Sequence, residues 1–218
     1  MNRTNIRQGG CTRKTVLVTG GSRGIGAATC LAAARDGWRV FVNYRSSLAE
    51  AVVALIAAFG GDISQEHDVL AIFAKIRARS GGLQGLVKTA GILPRVGRFE
   101  DTPLQPWQRT LTVNTIGTFL CCRAGIKMMA PQHAGTGGTS VTLSSMAATL
   151  GGPAEFVDYA TSKGAIDSLT IGLSKESAPD NIRLNTMRAG LIATDIHASA
   201  GDGARLERAR LFPDQVDA

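Results

Sequence analysis

Short apolar runs alternate with longer, helix-like runs along almost the whole chain. Buried strands of a parallel sheet read as short apolar runs, whereas helices need longer runs. The apolar runs predict strands at residues 15–19, 39–43, 83–87, 140–143 and 182–185. The longer runs predict helices at residues 25–35, 49–59, 69–77, 107–129 and 159–176, the fourth being two helices or one bent helix. This alternation predicts an α/β fold, a doubly wound parallel sheet with helices on both faces.

Length and composition agree with a single globular domain. The 218 residues are 44% hydrophobic, which is enough to bury a sizeable core. Residues 1–14 are polar, contain Gly9-Gly10 and have no apolar signal core. We therefore expect a flexible tail over residues 1–14 and one folded domain over residues 15–218.

The net charge of +7 raises the question of nucleic-acid binding. The basic residues are scattered, however, and no dense basic block is interleaved with aromatic residues. We expect no nucleic-acid partner, and a phosphorylated small molecule accounts for the charge as well. No apolar run is long enough to span a membrane, so no membrane partner is expected.

The four cysteines have no spacing typical of a metal site, so no metal is expected. Cys121 and Cys122 are adjacent and cannot easily bridge each other. Reduced thiols in a cytoplasmic compartment are the simplest interpretation.

A glycine-rich turn joins the first predicted strand to the first predicted helix. It reads Thr19-Gly20-Gly21-Ser22-Arg23-Gly24-Ile25-Gly26. Glycines allow a tight turn and a close approach to a pyrophosphate, while the helix N-terminus offers free N–H groups to the anion. A plain turn is the alternative, but the position between strand and helix favours a dinucleotide site.

The end of the second strand bears on the choice of dinucleotide. NAD sites usually have an acidic residue there for the ribose hydroxyls, and this chain has Asn43-Tyr44-Arg45-Ser46 instead. Arg23 and Arg45 can hold a 2′-phosphate through charge-assisted hydrogen bonds, or they can be solvated surface arginines. We expect NADP, with NAD the less favoured cofactor.

Tyr159 and Lys163 stand four residues apart in the last long helix, so they lie on one face. A phenol ordinarily has a pKa of about 10, and a neighbouring ammonium group is expected to lower it. Such a pair can exchange a proton with an alcohol or a carbonyl. The same spacing also occurs by chance, as a half-buried Tyr beside a solvated Lys.

Several motifs in order resemble the short-chain dehydrogenase/reductase family. They are Thr19 to Gly26, Ala90-Gly91, Asn114, Ser144-Ser145, Tyr159 with Lys163, and Gly190 to Thr194. The stretch from Ser144 to Glu176 is similar to the family's NADP-dependent sugar and alcohol dehydrogenases and 3-oxoacyl carrier-protein reductases. The resemblance implies a Rossmann-type sheet and an oxidoreductase that moves a hydride between NADP(H) and a carbonyl or secondary alcohol.

The resemblance also implies roles for individual residues. Tyr159 is expected to be the general acid/base, Lys163 to lower its pKa and hold the nicotinamide ribose, and Ser145 to position the substrate oxygen. Asn114 is expected to hold a water that relays protons to Lys163. The implied cofactor-binding set is Gly20, Ser22, Arg23, Gly24, Ile25, Gly26, Arg45, Asp62, Ala90, Gly91, Lys163, Gly190, Ile192 and Thr194.

Two of these residues, Ser145 and Asn114, have simpler alternatives or neighbours that compete for the role. Ser144 can be mistaken for Ser145, which we prefer because it leaves its strand on the side of the Tyr159 helix. Asn114 can be a helix cap. His197 belongs to no motif and is expected to be exposed.

The chain departs from the family pattern at named places. Nothing separates Gly61 from Asp62, where the family has a third strand, and the chain ends before the family's last strand. Either the sheet lacks the third strand or residues are missing from the sequence. The family's Asn-Asn-Ala-Gly reads Lys88-Thr89-Ala90-Gly91, and a lysine there must find a partner or reach solvent. The missing strands leave a catalytically weak or inactive dinucleotide-binding protein as the alternative function.

Two further expectations concern the surroundings of the site. Residues 195–212 are rich in Ala, Gly and charge, which predicts a lid that orders on ligand binding. Helices over residues 115–129 and 159–178 are apolar around much of their surface and pair across a two-fold axis in the family. We therefore expect a homodimer or homotetramer, with Cys121 and Cys122 close to the interface.

Overall fold

A parallel sheet forms the centre of the part of the chain that the structure describes, which is residues 13–45 and 57–201 of this computed structural model. Its six strands are β1 (Thr15–Thr19), β2 (Arg39–Tyr44), β3 (Ala57–Gly60), β4 (Gly85–Lys88), β5 (Gly138–Ser145) and β6 (Ile182–Ala189). They lie in the order β3-β2-β1-β4-β5-β6, and all pairs are parallel. The order reverses between β1 and β4, so a ligand is expected in the crevice at their carboxyl ends.

Helices cover both faces of the sheet. They are α1 (Gly24–Arg35), α2 (Glu66–Ser80), α3 (Leu104–Leu111), α4 (Gly117–Met129), α5 (Ala147–Leu150), α6 (Val157–Glu176) and α7 (Ile196–Ser199). Successive residues of β1 point to opposite faces: Val16 and Val18 pack with Cys30 of α1, whereas Leu17 packs with the side chains of α2 and α4. All five residues of β1 are buried, which explains its continuous apolar run.

Three short 3₁₀ turns complete the described elements, at Phe99–Asp101, Pro131–His133 and Ala178–Asp180. Between α3 and α4 the backbone stays helical through a π-helical turn, Thr112–Ile116. The predicted helix over residues 107–129 is therefore one helical run rather than two separate helices. Single π turns inside helices are frequent at functional sites, and this one contains Asn114.

The α/β prediction is confirmed, but the predicted absence of a third strand is wrong. Strand β3 pairs with β2, and Phe59 stacks on Phe41 with ring centroids 5.4 Å apart. Residues 57–60 therefore do not belong to the helix predicted over 49–59, whose remaining residues lie outside the described ranges. A short apolar run fits a helix or a buried strand equally well. Here the strand forms because the edge of β2 offers backbone hydrogen-bonding groups with which residues 57–60 pair. The Asn43 side chain adds a hydrogen bond to the Gly61 carbonyl, 3.0 Å away.

The predictions for both chain ends lie largely outside the described residues. Only the first part of the lid expected at 195–212 is described, and it contains α7. The tail expected at 1–14 and a strand after Gly201 are not covered. Within the described ranges, no helix combines the length and apolar character needed to cross a bilayer.

Candidate functional site

The glycine-rich turn lies at the carboxyl end of β1 and leads directly into α1. Gly20 has a φ of +66°, and a Cβ there would lie 2.6 Å from the Ala90 Cα atom. A Cβ on Gly26 would lie 2.3 Å from the Gly20 carbonyl oxygen. Both positions therefore require glycine, because the backbone of β1, α1 and the turn after β4 meet there without room for a side chain. The tight turn leaves the N-terminus of α1 open to the crevice.

One cavity of about 850 Å³ runs along the carboxyl ends of the strands. Its volume is in the range of small-molecule and cofactor sites. Most of the residues predicted for the site line it: Gly20, Ser22, Arg23, Gly24, Ile25, Gly26, Arg45, Asp62, Ala90, Gly91, Ser145, Tyr159, Gly190, Ile192 and Thr194. Lys163 and Asn114 are buried behind this lining.

Arginines lie at the end of the cavity near β2. Arg23 and Arg45 are both exposed and line the cavity. Tyr44, which was not predicted as a site residue, lines it beside Arg45. In the described structure, β2 therefore ends without a carboxylate in the cavity wall.

Asp62 follows β3, the strand next to β2, and is held by several partners. Its carboxylate accepts hydrogen bonds from the Ser64 hydroxyl (2.6 Å) and the Ser64 backbone N–H (2.9 Å). Arg109 of α3 lies 3.4 Å from the same carboxylate. Burial raises the pKa of Asp62, but the Ser64 hydrogen bonds and the Arg109 charge outweigh it and hold the pKa below its ordinary value. Asp62 is thus a fixed anion, and Arg109 is a neighbour that the sequence did not reveal.

The opposite end of the cavity contains Tyr159 and Ser145. Tyr159 is half-buried near the start of α6, with its ring edge-on to Phe156 at a centroid distance of 5.8 Å. Ser145, at the end of β5, is close enough to the Tyr159 hydroxyl to act on its pKa. Ser144 also lies toward the Tyr159 helix, because it is buried and its hydroxyl donates to the Lys163 carbonyl at 3.2 Å. The reason given for preferring Ser145, its side of the strand, is therefore wrong. Of the two serines, Ser145 is nevertheless the half-buried one, and it is the one that acts on the pKa of Tyr159.

Lys163 lies one helical turn after Tyr159 and is almost fully buried. Its Nζ donates to the Leu143 carbonyl at 2.6 Å and lies 5.3 Å from the centre of the Tyr159 ring. Burial, followed by the nearby charge of Lys88, lowers the pKa of Lys163 to about 7, against the opposing effect of Asp167.

The pKa of Tyr159 differs from the expectation drawn from the sequence. Burial raises it above the ordinary value, and the hydrogen bond with Ser145 offsets only part of this rise. The expected lowering by Lys163 is therefore wrong for this structure. The physical reason is the burial of the phenol, which disfavours its charged form.

Asn114 is completely buried in the π-helical turn. Its Oδ1 accepts from the Ile92 N–H (2.9 Å), while its Nδ2 donates to the Ile92 carbonyl (3.0 Å) and to the Ser162 hydroxyl (3.1 Å). The alternative role as a helix cap is wrong, because Asn114 has helical neighbours on both sides. Its side chain instead ties the loop after β4 to α6.

Other contacts in and near the site correct minor expectations. His197, expected to be exposed, is 9% exposed and lines the cavity. Cys121 and Cys122, expected close to a dimer interface, have side chains in the core between α4 and the sheet. Lys88 was expected to find a partner or to reach solvent, and it finds a partner. It is 1% exposed, and its ammonium group donates to the carbonyl of Ala90.

Comparisons with known proteins bear on this geometry. A family model described as short chain dehydrogenase matches residues 14–204. An uncharacterised oxidoreductase of Escherichia coli K12, YgfF, is 47% identical over 203 residues, which cover 89% of this chain and 82% of that protein. A 3-oxoacyl-[acyl-carrier-protein] reductase from a Synechocystis species is 34% identical, over 85% of this chain and 76% of that protein. The crystal structure of a short-chain type dehydrogenase/reductase from Mycobacterium marinum matches with a TM-score of 0.81 and 33% identity, over 88% of this chain and 78% of that one.

Proposed function

The chain belongs to the short-chain dehydrogenase family, and we propose that it transfers a hydride between NADP(H) and a carbonyl compound or secondary alcohol, with Tyr159 as the general acid/base. One observation carries this proposal. The side chains of Tyr159 and Ser145 line the same cavity as the glycine-rich turn. Hydride transfer to a carbonyl requires a proton donor and a dinucleotide-binding turn in the same crevice.

The residues of the cavity fit a nicotinamide dinucleotide, the kind of cofactor that the family uses. The turn at Gly20 leaves backbone N–H groups of α1 for a pyrophosphate. When bound, the nicotinamide supplies or accepts the hydride. Thr194 lies within 3.2 Å of where a Cβ on Gly24 would be, so Ile192 and Thr194 are close enough to the turn to hold the nicotinamide amide. Gly190, Ala90 and Gly91 complete the wall.

NADP is proposed over NAD because of the charges at the end of β2. The exposed guanidinium groups of Arg23 and Arg45 line the cavity where a ribose would carry its 2′-phosphate. Asp62, held as an anion by Ser64 and Arg109, is proposed to face the adenine.

The proton step follows from the raised pKa of Tyr159. A phenol with a raised pKa keeps its proton at neutral pH, so Tyr159 is suited to donate it to the oxygen of a carbonyl as hydride arrives at the carbon. Ser145, which lines the cavity together with Tyr159, is proposed to hold the same oxygen. Lys163 is proposed to hold the nicotinamide ribose and to return a proton to Tyr159, with Asn114 behind it.

The substrate end of the cavity is largely apolar. Leu93, Met146, Leu150 and Phe156 line it beside Tyr159. We propose a substrate whose carbonyl lies next to an aliphatic or acyl portion, a class that includes the substrate named for the Synechocystis relative. The alternative of a catalytically weak dinucleotide-binding protein depended in part on the absence of a third strand, which β3 supplies.

The test is Tyr159→Phe, which removes one hydroxyl and keeps the ring that packs on Phe156. NADPH oxidation is measured with a panel of 3-oxoacyl thioesters and cyclic ketones, and NADPH binding by fluorescence. Loss of the proton donor should lower kcat about 10²–10⁴-fold, with NADPH affinity nearly unchanged. The matched control, Thr161→Ala, removes an exposed hydroxyl from the same helix and should keep wild-type turnover.

Two results would contradict the proposal. Turnover by Tyr159→Phe at the wild-type rate would remove Tyr159 from the chemistry. Wild-type protein that binds NADPH but reduces no member of the panel would support the dinucleotide-binding alternative instead.

A homodimer or homotetramer is proposed from the outer faces of two helices. Ile116, the last residue of the π-helical turn, and Phe119 of α4 are 47% and 41% exposed, and Ile171 of α6 is 58% exposed. Contiguous apolar patches mark surfaces that contact another chain, and we propose that these side chains form such a patch. We also propose a cytoplasmic location, supported by Cys30, Cys121 and Cys122, which are free thiols.

A further inference from the structure

A second buried lysine lies directly behind the proposed proton-transfer site. Lys88, the last residue of β4, is among the largest fully buried side chains in the described structure. It stands where the family motif has asparagine. It points to the same side of the sheet as Leu86, toward α4, since side chains two residues apart on a strand share a face.

The Lys88 ammonium group holds two backbone turns. It donates to the carbonyl of Ala90, in the turn after β4, and to the carbonyl of Asn114, 3.4 Å away in the π-helical turn. The Asn114 carbonyl also accepts the Thr118 hydroxyl, so two donors converge on it. Ala90 in turn touches the glycine-rich turn at Gly20. Lys88 therefore holds in place the backbone that lies between the glycine-rich turn and the Tyr159 end of the cavity.

Lys163 lies on the other side of the same turn. A Cβ on Gly91 would lie 3.2 Å from Asn114 Oδ1 and 3.8 Å from Lys163 Nζ. Two ammonium groups thus flank the turn at Ala90 and Gly91, and both are removed from solvent. Like charges in a desolvated site disfavour each other's protonated forms.

The charged and titratable groups around this pair do not neutralise it. Cys121 and Cys122 of α4 face Lys88, but burial raises the pKa of these thiols to about 12 and about 11, so they stay uncharged. Tyr159 and Asp167 are on α6 with Lys163, and Asp167 already pairs with Arg188 at 2.9 Å. Burial lowers the pKa of Lys88 to about 8 and that of Lys163 to about 7.

We propose that Lys88 is a positioning residue of the hydride-transfer site, which clamps the Ala90 and Asn114 turns and electrostatically controls how readily Lys163 holds its proton. This proposal rests on the proposed function for its catalytic meaning. Burial first, and the Lys88 charge second, lower the pKa of Lys163 to about 7. Proton return to Tyr159 is then sensitive to pH in a range where an ordinary lysine, with a pKa of about 10.4, would stay charged.

The decisive measurement titrates Lys163 directly. The chain has six lysines, Lys14, Lys75, Lys88, Lys127, Lys163 and Lys175, so lysine-selective ¹³C labelling gives a simple spectrum whose Cε signals report each ammonium group. Lys88→Asn restores the residue of the family motif, and Lys88→Met keeps the length of the side chain without its charge. In both variants the midpoint of Lys163 should rise by about one pH unit or more, because a like charge has been removed.

Lys127→Asn is the matched control. Lys127 is exposed on α4, so its removal deletes one positive charge without touching the buried pair. Circular dichroism and thermal melting establish which variants are folded. A Lys163 midpoint that stays at the wild-type pH in either folded Lys88 variant, or that moves as much in Lys127→Asn, would overturn the proposal.

The pH profile of kcat/KM for carbonyl reduction adds the functional reading, since this parameter reports groups of the free enzyme. The loss of activity on the alkaline side should move to higher pH in Lys88→Asn, in step with the Lys163 midpoint. The two proposals fail separately. If the Lys163 midpoint does not move, the role of Lys88 is overturned even when Tyr159→Phe is inactive. If the midpoint moves but the protein reduces no carbonyl, only the proposed function is refuted.

Discussion

Lys88→Met should change the pH dependence of folding stability, whatever the enzyme's substrate. Burial lowers the pKa of Lys88 from 10.5 to about 8 in the folded protein. One pH unit corresponds to about 1.4 kcal/mol, so the charged form of Lys88 costs the folded protein about 3 kcal/mol. Methionine has a similar length and no charge, so the variant removes this cost.

The sign follows from proton binding. Between about pH 8 and pH 10.5 the unfolded chain keeps the Lys88 proton, while the folded protein has lost it. Stability of the wild type therefore rises with pH in this window, and the cost is fully present below it. The hydrogen bonds to Ala90 and Asn114 disappear in the variant at every pH, so they change the absolute stability but not its dependence on pH.

Urea unfolding, followed by circular dichroism at about pH 7 and about pH 10, measures the difference. The free energy of unfolding of the wild type should rise by about 3–4 kcal/mol relative to Lys88→Met between the two pH values. Lys88 itself contributes about 2.5 kcal/mol of this, and the raised Lys163 midpoint of the variant adds about 1 kcal/mol. Lys127→Met, which removes an exposed lysine from α4, shows how much of any change comes from the loss of one surface charge. A wild type and a Lys88→Met variant with parallel pH dependence would refute a buried, charged Lys88.

Two further predictions test the cofactor and the assembly. Arg45→Glu should weaken NADPH binding about tenfold or more and leave NADH binding nearly unchanged, because a charge-assisted hydrogen bond is worth about 1.5–3 kcal/mol. The control is Arg35→Glu, which changes an exposed charge at the end of α1. Equal losses of affinity for both cofactors would argue against a 2′-phosphate contact. Phe119→Asp should lower the sedimentation coefficient of the protein to that of a monomer, whereas Leu70→Asp, on the exposed side of α2, should not; a wild type that already sediments as a monomer would disprove the proposed interface.

Local sequence signals were sufficient for most elements of the fold. Strands β1, β2, β4, β5 and β6 and the long helices were predicted to within a few residues, because their apolar periods are set by the pleat of a buried strand or the turn of a helix. The glycine-rich turn was also legible, since only glycine tolerates the close backbone contacts of Gly20 and Gly26. Strand β3 was not, because its four residues gain strand geometry only from pairing with β2.

The candidate site also contains residues that the sequence predicted and one that it did not. The residue types at Tyr159, Lys163, Ser145 and Asn114 were chosen from order and spacing along the chain, and the fold brings them to the end of one cavity or directly behind it. The contribution of Arg109 to Asp62 had no sequence signal, since the two residues lie 47 positions apart and meet only through the packing of α3.

The protonation of the site was decided by the tertiary structure alone. The sequence by itself determined a parallel α/β sheet, a dinucleotide turn and a Tyr–Lys pair, because each depends on residues that are near one another in the chain. It also predicted that Lys163 would lower the pKa of Tyr159, which the structure reverses. A pKa depends on solvent exclusion and on charges from every neighbouring element, and the burial of Lys88 and Lys163 on either side of one turn exists only after β4, the π-helical turn and α6 have packed together.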